Sequence, residues 1–276
     1  MPKRLSDAQV AQFQRDGFCA PIELFTPAEA AGYRRRFEEV EASFPEAVHT
    51  ENRNNAHYVL TVLDEITHHH AILDAVEDLI GPDLLLWGTV LFVKEPQHPG
   101  FVSYHQDATY TDLDPHDAIT VWLALTAANP TNGCMRMLPG SHRGPIRPHE
   151  DTFGADNLLT RGQTIQEIDE SALVDVWLEP GQISIHHQRV IHGSLPNRGD
   201  DRRIGLAIQH YMPTYMRQTR SVGYAELVRG EDRYHHFEPT QRPEYDMAPA
   251  AVAFREKANA GWSDTLYEGA DQVRSY

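Results

Sequence analysis

His105-Gln106-Asp107 places an imidazole and a carboxylate two residues apart, at the end of the apolar alternation of Phe101, Ser103 and Tyr104. In extended backbone, side chains two apart share a face, so both can reach one ion. A second imidazole from another strand would complete a two-His, one-carboxylate face. Such a face leaves three positions of an octahedral ion open, which suits Fe(II) binding a bidentate keto acid and then dioxygen. The same spacing recurs in His49-Thr50-Glu51 and His149-Glu150-Asp151, but both lie in polar, irregular stretches and read as solvated accidents.

The first candidate for the third ligand is His192, in a buried context set by Ile185, Val190 and Ile191, with Gly193 allowing close backbone approach. His186 and His187 compete with it. His192 ranks first because Arg203 follows eleven residues on, at the start of a new apolar strand beyond the turn-rich Pro196-Asn197-Arg198-Gly199-Asp200. A hairpin of that length brings Arg203 beside the strand that carries His192. A planar guanidinium on a buried strand asks for a carboxylate and binds one bidentately. An internal ion pair with Asp or Glu is the plain alternative. Strand alternation should send the adjacent Arg202 to solvent.

These residues need a rigid β framework, and from Leu84 the sequence supplies one. Short β-like runs broken by Pro and Gly appear at 84–93, 101–106, 118–126, 134–138, 174–178, 182–186 and 203–211. Runs at this spacing predict a mainly β sandwich or barrel-like jelly roll with flanking helices. Ahead of them, Ser6-Asp7-Ala8-Gln9 and Thr26-Pro27-Ala28-Glu29 fit capping boxes, the second with Pro at the first helical position. Asp16-Gly17 stops the first helix, and a third amphipathic run, Ile72 to Ile80, ends on Gly81-Pro82. The polar, irregular segment 143–170 is longer than most loops and reads as a lid, with His149, Asn157, Arg161 and Gln163 as candidate substrate contacts. The tail from Tyr224 reads as covering structure with one helix near Ala250 to Ala260. The expected organisation is one domain over 1–276: a helical N-terminal region over 1–83, a jelly-roll core over 84–215, and a C-terminal cover over 216–276.

Composition narrows the function classes. At 276 residues and 41% hydrophobic content the chain can bury one large core. A formal net charge of −16 with no basic cluster argues against a nucleic-acid partner. No long apolar run marks a signal peptide or membrane span, so a cytoplasmic protein without a membrane partner is expected. Cys19 and Cys134 are too few and too far apart for a disulfide framework or a thiolate zinc site. Monomer and homodimer stay equally open.

Taken together, the motifs resemble the phytanoyl-CoA dioxygenase family of Fe(II)/2-oxoglutarate oxygenases, from about Leu5 to Tyr211. The likeness is carried in order by Leu5-Ser6-Asp7 with Phe13 and Asp16-Gly17-Phe18, by Tyr104-His105-Gln106-Asp107, by Asn132-Gly133-Cys134-Met135 with Pro139-Gly140-Ser141-His142, and by His192-Gly193-Ser194 with Asn197 and Arg203. The resemblance implies a cupin-like double-stranded β-helix core, metal ligation by His105, Asp107 and His192, and the cofactors Fe(II), 2-oxoglutarate and O2. It also implies decarboxylation of 2-oxoglutarate to succinate, coupled to oxidation of a small molecule. Arg203 would bind the cosubstrate carboxylate, with secondary contacts from Thr120 and Ser194. Trp122 shares a strand face with Thr120 and becomes a candidate pocket wall; Gln106, Lys94, Asn157, Arg161 and Gln163 are further candidate substrate contacts. Lys94 reaches either an anion or the solvent at the rim. Because Asp107 retains the carboxylate, hydroxylation is expected and halogenation is not. Two rivals keep the same fold: a metal enzyme that needs no 2-oxoglutarate, against which Arg203 argues, and a non-catalytic binding protein, against which the intact ligand set argues. Among substrates, an alkyl or aminoalkyl phosphonate and a natural-product intermediate are the classes singled out.

Overall fold

The computed structural model describes residues 2–220, 223–267 and 269–273; residues 1, 221, 222, 268 and 274–276 of the expected N-terminal region and C-terminal cover lie outside them. Both N-terminal helices start where their capping boxes place them. α1 (Asp7–Asp16) is capped by Ser6 and Gln9, and α2 (Pro27–Ser43) by Thr26 and Glu29, each box with both reciprocal hydrogen bonds. Gly17 closes α1 with φ of 83°, a conformation that favours glycine. Two further helices, α3 (Thr61–Thr67) and α4 (His70–Ile80), follow, the latter capped by Gly81.

In chain order the strands are β1 (Phe18–Glu23), β2 (Leu84–Leu86), β3 (Thr89–Lys94), β4 (Val102–His105), β5 (Leu113–Asp114), β6 (Ile119–Ala124), β7 (Met135–Met137), β8 (Val174–Val176), β9 (Gln182–His187), β10 (His192–Ser194), β11 (Arg203–Pro213), β12 (Arg217–Gln218), β13 (Tyr224–Arg229) and β14 (Glu238–Pro239). A short helix, α5 (Ala108–Thr111), follows β4, and α6 (Pro249–Leu266) ends the described fold. The large sheet runs β1-β9-β6-β11-β2-β13-β14, with β3 also on β11; a four-stranded sheet, β4-β10-β7-β8, faces it; β12 and β5 form a separate pair. This is the jelly-roll arrangement.

Three expectations change. The run 84–93 is two strands, because the chain breaks at Trp87-Gly88; a Cβ on Gly88 would lie 2.6 Å from Asn55 Oδ1. The tail is more than a cover, since β13 pairs with β2 and extends the large sheet. Segment 143–170 is strapped along β4: Leu158 N–H donates to Phe101 O and Ile165 N–H to Tyr104 O, both at 2.8 Å. A sheet edge left open invites intermolecular pairing, and this segment covers it.

The period of two sorts the large sheet's residues into two environments. Ile119, Val121, Leu123, Ile183, Ile185, Ile204, Leu206 and Ile208 share one apolar cluster with Phe37, Leu60, Leu63, Ile66, Ile72 and Val76 of the helical layer. Each such side chain contributes roughly 1.5–3 kcal/mol on burial. The intervening residues, among them Thr120, Trp122, His186, Arg203 and Ala207, line the cavity between the sheets.

Candidate active site

β10 lies antiparallel to β4 with His192 directly opposite His105, and the two rings sit with centroids 4.2 Å apart. The expected close approach at Gly193 is real, since a Cβ there would lie 2.8 Å from both Tyr104 Cδ1 and Val102 O. Strand alternation does not deliver Asp107, because β4 ends at His105 and Asp107 begins the turn into α5 with helical dihedrals. The carboxylate still converges: Asp107 Oδ1 is 3.4 Å from His105 Nε2 and 3.8 Å from His192 Nε2. One ligand atom from each of the three residues lies within 4.8 Å of the others, and all three residues are buried.

The surroundings orient this triangle. His105 Nδ1 is bonded to Ser103 O at 2.9 Å and His192 Nδ1 to Val190 O at 3.0 Å, which leaves each Nε2 lone pair facing the centre. Asp107 Oδ2 accepts from Thr120 Oγ1 at 2.9 Å, and Oδ1 from Gln209 Nε2 at 3.2 Å. Thr120 also meets His210 Nδ1 at 3.0 Å. Burial opposes ionisation of Asp107, yet the surrounding imidazoles of His192, His105 and His186 hold its carboxyl well below the usual range. Burial and His105 push His192 down to about 3, so it stays neutral and its lone pair is available. Two imidazoles and one carboxylate on a common face fit a divalent first-row metal with open positions.

His186 and His187 divide by alternation. His187 faces away and packs near His142, ring centroids 5.7 Å apart. His186 points inward opposite Thr120, its Nε2 3.4 Å from Asp107 Oδ2 but without hydrogen-bonding geometry, and neither ring nitrogen has a partner. It stands beside the ligand triangle and is not one of its corners.

Arg203 is 1% exposed, its guanidinium carbon 5.2 Å from the Trp122 ring centroid, and its Nε has no partner. Among the described residues no carboxylate pairs with it, so the internal ion-pair alternative is not realised. Burial pushes it down to about 10. Gly205 makes room for the Trp122 ring, since a Cβ there would overlap Trp122 Cζ2. Lys94 is paired in register with Arg203 and is fully buried, not at a solvent rim. Its Nζ donates to Ser194 Oγ at 2.7 Å and to Leu195 O at 2.5 Å. Burial first, then Arg203, pushes Lys94 down to about 6. Two buried basic groups side by side with no acid are a site prepared for an anion. Arg202 does turn away as alternation requires, but into Glu41 and Glu95 at 2.6 and 2.5 Å, so the expected exposure is corrected to an ion-pair network.

The cavity, mouth included, encloses about 810 Å³ and reaches the metal triangle, Arg203, Ser194, Thr120 and Trp122. Several expected substrate contacts are elsewhere. Gln106 is fully buried, its side chain bonded to Arg189 O and Arg147 N–H. Asn157 bonds Ser103, Gln163 O accepts from Ser103 Oγ, and Arg161 ties Asp151 to Leu266 O, so these residues fasten the strap. His149 is half-buried and accepts from Gln106 N–H at 3.0 Å, so it is a strut and not a solvated accident. Leu159 and Thr160 are what the strap contributes to the cavity, and α6 adds Trp262 and Leu266. Sequence reasoning also misses Arg53, Trp87, Tyr110 and Gln209. The parity of β11 could have found Gln209, since 203, 205, 207 and 209 share a face; nothing local marks Arg53 or Trp262. His236-Phe237-Glu238 repeats the His-x-acid spacing at an exposed site. Asp64, His68 and Glu226 form a second group of metal-type side chains, but Arg242 already holds Asp64 with bonds of 2.6 and 3.0 Å.

The chain matches the family model described as phytanoyl-CoA dioxygenase over residues 13–205. It is 33% identical over 179 residues to a probable phytanoyl-CoA dioxygenase of Caenorhabditis elegans, an alignment covering 62% of this chain and 57% of that protein. Across the curated relatives it matches first, the chain spans about half of their length or less. Among solved structures it is similar to the non-heme monooxygenase ThoJ in its apo form, with TM-score 0.83 and 36% identity over 94% of this chain and 98% of that one. It is also similar to CytC3 with Fe(II) and alpha-ketoglutarate, with TM-score 0.67 and 25% identity over 90% and 98%.

Proposed function

The chain belongs to the phytanoyl-CoA dioxygenase family, and from that premise we propose that it is an Fe(II)- and 2-oxoglutarate-dependent oxygenase that hydroxylates a small molecule. One observation carries the reading: a buried two-His, one-carboxylate face shares its cavity with a buried arginine that has no carboxylate of its own. His105, Asp107 and His192 hold the iron. Arg203 takes the far carboxylate of 2-oxoglutarate, with Lys94 and Ser194 beside it. When bound, iron and 2-oxoglutarate supply the oxidising chemistry, in which 2-oxoglutarate loses CO2 to become succinate and dioxygen gives one atom to each product.

The chain's own residues set the conditions for that chemistry. Thr120 and Gln209 fix both oxygens of Asp107, so the carboxylate cannot swing off the ligand face. That anchoring also keeps chloride from taking its place, and the product is an alcohol, not a halide. Trp122 under the Arg203 guanidinium excludes water and strengthens the carboxylate contact. Segment 143–170, through Leu159 and Thr160, and α6, through Trp262 and Leu266, form the cover over the substrate. Cys19 and Cys134 are buried and unpaired, which fits a reducing cytoplasm. No helix among the described residues is long and apolar enough to cross a membrane.

The substrate is an alkyl or aminoalkyl phosphonate or a natural-product intermediate. A library of both classes, incubated with iron-loaded protein and assayed for succinate at high chloride, tests the reading. A member that raises succinate release and gains one oxygen atom supports it. A chlorinated main product would overturn Asp107 as an iron ligand.

A further inference from the structure

Apart from the metal triangle and Arg203, the cavity lining forms a chamber with aromatic and aliphatic walls: Trp87, Phe92, Tyr110 and Trp262, with Leu159 and Leu266. Trp87 and Trp262 meet edge to face with ring centroids 6.5 Å apart. Flat apolar walls at a right angle hold a ring by dispersion and stacking. The chamber also carries polar atoms that the protein leaves without partners. Tyr110 Oη, Thr111 Oγ1, Trp262 Nε1 and both nitrogens of His186 are buried and unbonded, and all four residues line the cavity. Unpaired buried polar atoms are rare and costly, so four residues of this kind on one cavity mark where a ligand's polar atoms belong.

The kind of polar atom matters. An indole N–H only donates, and a hydroxyl or an imidazole can donate as well as accept. Oxygen acceptors on a ligand can therefore answer all four, and the Trp262 N–H can be answered by nothing but an acceptor. Charge narrows the choice further. Among the described residues that line the cavity the sole carboxylate is Asp107, which the metal face uses, while Arg53 and Arg203 are basic. An ammonium group brought into the chamber would be buried without a counter-charge, at high cost.

We infer that this chamber selects a ring-bearing, oxygen-rich molecule that is uncharged or anionic, and rejects amines, aminoalkyl phosphonates among them. This rests on the reading that the inner end of the cavity takes the metal and 2-oxoglutarate. It sets the natural-product class ahead of the aminoalkyl phosphonate.

The test uses calorimetry under argon on the protein loaded with Mn(II) and 2-oxoglutarate, so that binding is read without turnover. The affinity for 2-oxoglutarate is measured first in every sample. The probes are naringenin, a hydroxynaphthoate, the matching aminomethylnaphthol and aminoethylphosphonate. Naringenin and the hydroxynaphthoate should bind about tenfold tighter than the aminomethylnaphthol or the phosphonate, the size expected from losing one or two matched buried polar contacts. Tyr110→Phe and Trp262→Phe, which keep a ring and delete a donor, should each weaken naringenin on the order of tenfold. Equal binding of the amine or the phosphonate, no binding of either ring probe at millimolar concentration, or parental naringenin affinity in both variants would overturn the inference. Loss of 2-oxoglutarate binding with the probe ranking intact would instead overturn the functional reading and leave the chamber's selectivity standing.

Discussion

On the outer face of the large sheet, Ile119, Val121, Leu123, Ile204, Leu206 and Ile208 pack on the apolar side of the helical layer, and Tyr211 Oη donates to Thr67 O at 2.5 Å. On the inner face the alternate residues of the same strands include Arg203 without a carboxylate and His186 without any hydrogen bond. One backbone carries both, one residue apart. The outer face supplies stability by apolar burial, and the inner face keeps polar groups unsatisfied so that ligands can satisfy them. Local departure from the rules of packing is expected at functional sites and is tolerated because the other face is so regular.

The largest expected effect breaks the inner face alone. His105→Ala, Asp107→Ala and His192→Ala should each abolish turnover and stoichiometric iron binding, measured as iron per chain after gel filtration. His187→Ala, on the opposite side of its strand, should retain both. Iron retained by His192→Ala but lost from His187→Ala would reverse the assignment.

Arg203 and Arg202 give the same contrast within one dipeptide. Arg203→Ala leaves the 2-oxoglutarate carboxylate unpaired and should weaken its binding by about 2–5 kcal/mol. Arg202→Ala should leave that affinity near the parent's and lower the melting temperature instead, because Glu41 loses its partner. Calorimetry of 2-oxoglutarate and a thermal melt of both variants separate the two roles.

For the outer face, Leu63→Ala should cost roughly 2–5 kcal/mol of folding stability through cavity formation. The 2-oxoglutarate affinity of the folded fraction should not change. Urea unfolding beside calorimetry checks this, and a matching loss of both would show that the two faces are not separable.

The smallest effect is a pH slope from Lys94. Its folded value is pushed down to about 6 by burial and Arg203, while the unfolded value is about 10.4. Between these the unfolded chain binds more protons, so stability rises with pH, by up to about 1.4 kcal/mol per pH unit. Melting temperatures from pH 7 to 9 should climb more steeply for the parent than for Lys94→Met. Parallel curves would show that Lys94 is charged in the folded protein.

The same contrast explains what is legible in the sequence. Capping boxes, the Gly17 stop and the parity that turns Arg203 inward are local signals that survive in the structure, as do the strand runs apart from 84–93, which splits at Trp87-Gly88. His105 and His192 stand out because imidazoles are rare on apolar strands, and Asp107 because it follows His105 by two residues. The polar residues of 143–170 mislead, because polarity in a loop does not say what the side chain will bond. The Asn157 side chain serves the edge of β4, and Gln163 serves it through its main-chain carbonyl. Arg53, Trp87 and Trp262 meet only through long-range packing, and no spacing along the chain announces that.

The central claim is that the triangle and Arg203 hold Fe(II) and 2-oxoglutarate together. Anaerobic titration of the apo protein with Fe(II) and 2-oxoglutarate, followed by visible absorption, tests it most directly. A charge-transfer band should grow to one equivalent only when both are present. It should be absent in Asp107→Ala and need far more 2-oxoglutarate in Arg203→Ala. Stoichiometric iron binding with no such band in the parent, or a band at parental 2-oxoglutarate concentration in Arg203→Ala, would contradict the account.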